Sequence, residues 1–115
     1  MLRPLQLLNN FLHPANGEGK VTYVLSGSPG DFNITYSGNN AETFQEPHAV
    51  KTWKKTFTVS DGGFVYFSAQ SNTLHAKIHV KILLDGKVFR KADAKGDYAV
   101  ATVSGCINCN KKNGQ

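Results

Sequence analysis

A chain of 115 residues with 40 % hydrophobic content is one domain's worth of sequence, too apolar for a disordered polymer. Its formal net charge of +5 is uneven: residues 1–48 hold two cationic against four acidic side chains, and residues 49–115 hold eleven against four. No run of about 18 apolar residues occurs, which excludes a helical membrane span within these residues.

The first nineteen residues differ from the rest. Leu5, Leu7, Leu8, Phe11 and Leu12 predict one face of a short helix or arm over residues 1–19, with Pro4 in its first turn and His13-Pro14 as its stop. Amide residues interrupt that apolar stretch and no small-residue cleavage site follows, so it makes a poor secretion signal. Either the chain is cytoplasmic, or a targeting segment lies outside these residues.

From Lys20 the pattern changes to short strands between turn residues. Val21–Leu25 is the first predicted strand. Ser28-Pro29-Gly30-Asp31 turns into Phe32–Tyr36, and Gly38-Asn39-Asn40 into Glu42–Gln45, which Pro47 should end because proline donates nothing to a ladder. Trp53–Val59 and Phe64–Ala69 flank Ser60-Asp61-Gly62-Gly63. In Lys77-Ile78-His79-Val80-Lys81-Ile82, charged and β-branched residues alternate without a break, so one face meets a core and the other meets water. Asp85-Gly86 suits a type I′ hairpin into Lys87–Ala92, because both central residues of that turn need φ > 0. Tyr98–Val103 reads as a central strand.

Seven or eight short strands at this spacing predict an all-β, antiparallel β-sandwich (Ig-like) over residues 20–105, preceded by the arm and followed by a flexible tail, 106–115. Trp53, Phe57, Phe67, Ile78, Val80, Ile82 and Val100 are the expected core residues.

Candidate chemistry is sparse. Cys106 and Cys109 form a CxxC that could close a local disulfide, stay idle, or supply half of a zinc site. His75 and His79 lie four apart on a strand, about 13 Å at roughly 3.3 Å per residue, too far to share one metal. None of the four His lies beside a GxSxG-type nucleophile, and Gly62-Gly63 precedes a strand, where a phosphate loop would precede a helix. These features predict no enzyme and no cofactor. Lys54, Lys55, Lys77, His79, Lys81, Lys87, Arg90 and Lys91 form a candidate basic surface. It suits an acidic partner, although lysine on strands also blocks edge-to-edge aggregation.

Six blocks, in order, carry a family resemblance: Val21-Thr22-Tyr23…Ser26-Gly27-Ser28, Asn33-Ile34-Thr35-Tyr36, Trp53-Lys54-Lys55-Thr56-Phe57, Phe64–Gln70, Asp85-Gly86-Lys87-Val88 and Tyr98–Gly105. Together they resemble the MmpS family of small membrane-associated proteins first described in mycobacteria. The resemblance implies an extracytoplasmic β-sandwich, in the periplasm, cell envelope or secreted. It also implies a protein partner in the envelope, a transporter of the resistance-nodulation-division (RND) type that exports lipids or siderophores. Members of that family carry an N-terminal transmembrane helix; here only Leu5–Leu12 is apolar, so membrane association would come through a segment outside these residues. The expectation is a non-enzymatic binding or accessory module. The alternative is a single-stranded nucleic-acid-binding β-barrel using the basic second half, although the outward positions Lys77, His79 and Lys81 bring no aromatic stacking platform.

Overall fold

A computed structural model describes residues 17–50 and 52–109. The predicted N-terminal helix lies outside them. The described chain forms eight antiparallel strands: β1 (Glu18–Ser28), β2 (Phe32–Ser37), β3 (Thr43–Ala49), β4 (Trp53–Ser60), β5 (Phe64–Ser71), β6 (Ala76–Leu84), β7 (Lys87–Gly96) and β8 (Val100–Cys106). They make two four-stranded sheets, ordered β4-β1-β6-β7 and β3-β2-β5-β8, called A and B below. The sandwich architecture agrees with the sequence reading. Its strand order differs from the ABED and CFG sheets of an immunoglobulin domain.

Period-two alternation explains the layers. Val21, Tyr23 and Leu25 of β1 and Ile78, Val80 and Ile82 of β6 point inward from sheet A; Phe32, Ile34 and Tyr36 of β2 and Val65, Phe67 and Ala69 of β5 meet them from sheet B. Tyr23 is fully buried, so its hydroxyl needs a partner; it donates to the Ser37 carbonyl at 2.9 Å and ties the two sheets together. β7 and β8 approach each other at one side of the sandwich. On the β3/β4 side Tyr36, Trp53 and Phe57 form an aromatic wedge, with Trp53 and Phe57 only partly buried and the exposed Phe44 packed on Tyr36 from outside.

Four details depart from the sequence reading. Pro47 does not end β3, which runs on to Ala49. β3 is an edge strand and its register shifts between Phe32 and Ile34 of β2, and edges and bulges are where a strand tolerates proline. β8 is likewise an edge strand, not a central one. Ala101 and Val103 take its inward positions, so Val100 points out, 51 % exposed, and is no core residue. Finally, residues 106–109 are not tail: Ile107 is fully buried, and its backbone N–H and C=O bond the carbonyl of Gly63 and the N–H of Gly62.

The β6–β7 hairpin forms as read, with φ +51° at Asp85 and +86° at Gly86. Beyond it Leu83 pairs with Val88, but Ile82 pairs with Arg90, so Phe89 is an extra residue and β7 bulges. Phe89 packs inward, over Gly105 of β8. A Cβ at Gly105 would lie 2.7 Å from the Phe89 ring, so only glycine admits this approach.

Candidate functional site

The bulge at Phe89 decides which side chains of β7 face outward. One added residue reverses the facing of everything beyond it. Lys91, Asp93 and Lys95 therefore stand directly opposite Lys81, His79 and Lys77, on the outer face of sheet A. On the other flank of β6, Val24 of β1 lies opposite both Lys81 and Lys54. A row Lys54–Val24–Lys81–Lys91 thus crosses all four strands, and Lys77 and Lys95 stand two rows away.

Positive charge is segregated between the layers. All nine Lys and Arg residues among the described residues lie in strands of sheet A: Lys20, Lys54, Lys55, Lys77, Lys81, Lys87, Arg90, Lys91 and Lys95. The strands of sheet B contain none, and their one acidic residue, Glu46, is turned into the aromatic wedge. Sheet B instead shows water Asn33, Thr35, Ser68, Gln70, Thr102 and Ser104, with Ser68 and Thr102 hydroxyls 2.9 Å apart.

Of the eight residues read from sequence as a basic surface, five converge on this face: Lys54, Lys77, His79, Lys81 and Lys91. Three do not. Lys55 lies opposite the inward-facing Tyr23, so it leaves the sheet at its edge. Lys87 sits at the hairpin, opposite Leu84. Arg90 takes the bulge position opposite Ile82 and folds over the Phe89 ring, 4.2 Å from its centroid. Lys95 joins the five on this face from beyond Ala92, where the sequence predicts the strand to end, because β7 runs on to Gly96. Its signal was present: Lys91-Ala92-Asp93-Ala94-Lys95 alternates charged and small residues with period two.

His79 Nδ1 lies 2.8 Å from Asp93 Oδ1, pairing the lysine face's one opposed acid with its one histidine. Lys77, His79, Asp93, Ala94 and Lys95 line a shallow depression of about 390 Å³ there. Two further His–Asp pairs sit in loops and strand ends. His75 Nδ1 is 3.8 Å from Asp97, and His48 Nδ1 is 3.0 Å from Asp31. Hydrogen bonds from Asn72 and His48 hold the Asp31 carboxyl below its ordinary range. Asn72 reaches Asn33 as well, so this cluster ties the β1–β2 turn to the β5–β6 loop.

Cys106 and Cys109 are paired as a disulfide, with Cα atoms 5.6 Å apart. Among the described residues no three His, Cys, Asp or Glu side chains gather where they could hold a metal ion. No helix of the described residues is long and apolar enough to cross a membrane.

No protein-family model matches this chain, and no curated protein matches it either.

Proposed function

We propose that this protein is a non-enzymatic binding and accessory module of the cell envelope. It works outside the cytoplasm, with the outer face of sheet A as its working surface. The transporter it assists is of the RND type, as the resemblance to the MmpS family implies. One observation carries the proposal: every described cation sits on one sheet, while the other sheet is uncharged outside. A globular fold needs no such division, since lysines solvate equally well on either layer. A one-sided positive potential steers and orients the molecule against an acidic surface. The Cys106–Cys109 disulfide supports an oxidising compartment.

The rival reading, single-stranded nucleic-acid binding, shares the positive potential. It also requires aromatic rings on which bases stack. The outer positions of sheet A include Lys20, Thr22, Val24, Ser26, Lys54, Thr56, Thr58, Lys77, His79, Lys81, Leu83, Val88, Lys91, Asp93 and Lys95, and none of these is Phe, Tyr or Trp.

Cross-linking of the full chain in envelope fractions tests the proposal. Recovery of a membrane transporter supports it. Recovery of cytoplasmic nucleic-acid-binding proteins alone, together with a salt-sensitive shift of single-stranded oligonucleotides, would replace it with the rival.

A further inference from the structure

Two lysine pairs stand directly opposed on neighbouring strands, Lys81 with Lys91 and Lys77 with Lys95. Like charges directly opposite one another destabilise a sheet. Protection against edge-to-edge aggregation accounts for Lys91 and Lys95, on the edge strand β7, but not for Lys77 and Lys81, because β6 is a central strand, flanked by β1 and β7. Two repulsive pairs thus join the central strand β6 to the edge strand β7, with only the His79–Asp93 pair between them.

The patch is broad. Three inter-strand steps of about 4.8 Å span roughly 14 Å from Lys54 to Lys91, and four residues along β6 span about 13 Å from Lys77 to Lys81. Its chemistry narrows the occupant. Protein interfaces are enriched in Arg and aromatic residues and depleted in Lys. This face has the reverse composition, and Arg90, the one described arginine, is turned away onto Phe89. A plane of phosphates fits it instead. Lysine acts as a mobile point charge there, its stem can lie along apolar surface, and clustered lysines bind anionic leaflets additively. Val88, 56 % exposed, and the half-buried Leu83 and Val24 share the face and add apolar contact at a headgroup boundary.

We infer that the outer face of sheet A docks flat on the anionic headgroups of a phospholipid bilayer. Docking there would hold sheet B toward the solvent and toward a protein partner. The inference deepens the envelope reading above and rests on it for location alone.

The test is co-sedimentation of the full chain with vesicles of equal parts phosphatidylglycerol and phosphatidylcholine, and with phosphatidylcholine vesicles. Binding is expected only to the anionic vesicles, and it should weaken as salt is added. Lys81→Gln with Lys91→Gln should lower the affinity about thirty-fold, roughly five-fold per lysine. Gln70→Glu with Ser104→Glu, exposed positions that do not face each other, changes net charge by the same two units on the opposite sheet and should leave affinity within about two-fold. A cooperative thermal transition at or above the wild-type midpoint certifies the fold of the lysine variants, a cooperative transition that of the sheet B variant, and Lys77→Gln with Lys95→Gln serves as an independent second pair.

Equal binding to both vesicle types would overturn the inference, as would equal loss from the sheet B variant. Preference for single-stranded oligonucleotide over anionic vesicles would overturn it in favour of nucleic acid. Failure to bind vesicles while transporter cross-linking persists would remove the bilayer contact and leave the proposed function standing.

Discussion

Replacing Lys91 by Glu should make the protein more stable and worse at its task. Lys81 and Lys91 are directly opposed across β6 and β7, so their charges lie about 6–7 Å apart, a little beyond the usual Cβ separation. At the dielectric of water, two unit charges at that distance interact by about 0.6 kcal/mol, and screening at physiological salt leaves about 0.3. Lys91→Glu removes that repulsion and adds a comparable attraction, a gain of about 0.6 kcal/mol. For a domain of this size the thermal midpoint should rise by about 2–5 °C. Lys91→Gln, which only removes the repulsion, should give about half of it. The assay is thermal denaturation followed by circular dichroism, at low salt and at 1 M salt, where the Debye length shrinks to about 3 Å and the gain should vanish. In parallel, binding to anionic vesicles should fall. A midpoint that drops, or a rise that persists in high salt, would refute the opposed-lysine reasoning. A rise without loss of vesicle binding would show that the repulsion serves nothing on that face.

The core and the turns allow further tests. Ile82→Ala, at a fully buried position, should cost about 2–5 kcal/mol by leaving a cavity, measured as a lower urea midpoint. Ile107→Ala should cost a similar amount, because Ile107 is also fully buried; a midpoint equal to the wild type would show that Ile107 contributes nothing to the core. Gly86→Val should destabilise by about 1–2 kcal/mol although no atom lies within 4 Å of the added Cβ, since the cost is that of forcing a β-branched residue to φ +86°. Tyr36 is 3 % exposed, and burial, helped by donation of its hydroxyl to Glu46, pushes its pKa up to about 12. The folded value exceeds the unfolded one, so this contribution to stability is complete below about pH 10 and is lost as pH rises toward 12. Tyr36→Phe should flatten that alkaline decline in the denaturation midpoint.

Much of the candidate surface was legible from local pattern alone. Alternation from Lys77 to Ile82 assigns both faces of β6 because the side-chain period of a strand is two. Asp85-Gly86 specifies its turn because a type I′ hairpin demands two residues that tolerate positive φ. These signals reside in neighbouring residues and need no knowledge of the partner strand. Glu46 was less legible. Its carboxylate accepts from Tyr36 and from Trp53 Nε1, a pairing across two strands of different sheets. Val100 was misread for a similar reason. Large and small residues alternate along β8, and either parity could have faced the core until β5 and β7 settled beside it.

The amino-acid sequence by itself determined that this protein is a two-layer β fold, that β6 is amphipathic, and that cations crowd its second half. Which of those cations share a face is set by the fold. The deciding element is one residue. With Phe89 bulged, Lys91 and Lys95 turn outward to oppose Lys81 and Lys77. Without the bulge, the same register would turn both lysines inward and bring Arg90 and the small residues Ala92 and Ala94 to the surface. A strand has a period of two, so a single extra residue reverses the facing of all that follows. Whether such a residue is accommodated depends on a distant glycine, Gly105 of β8, which leaves room for the Phe89 ring.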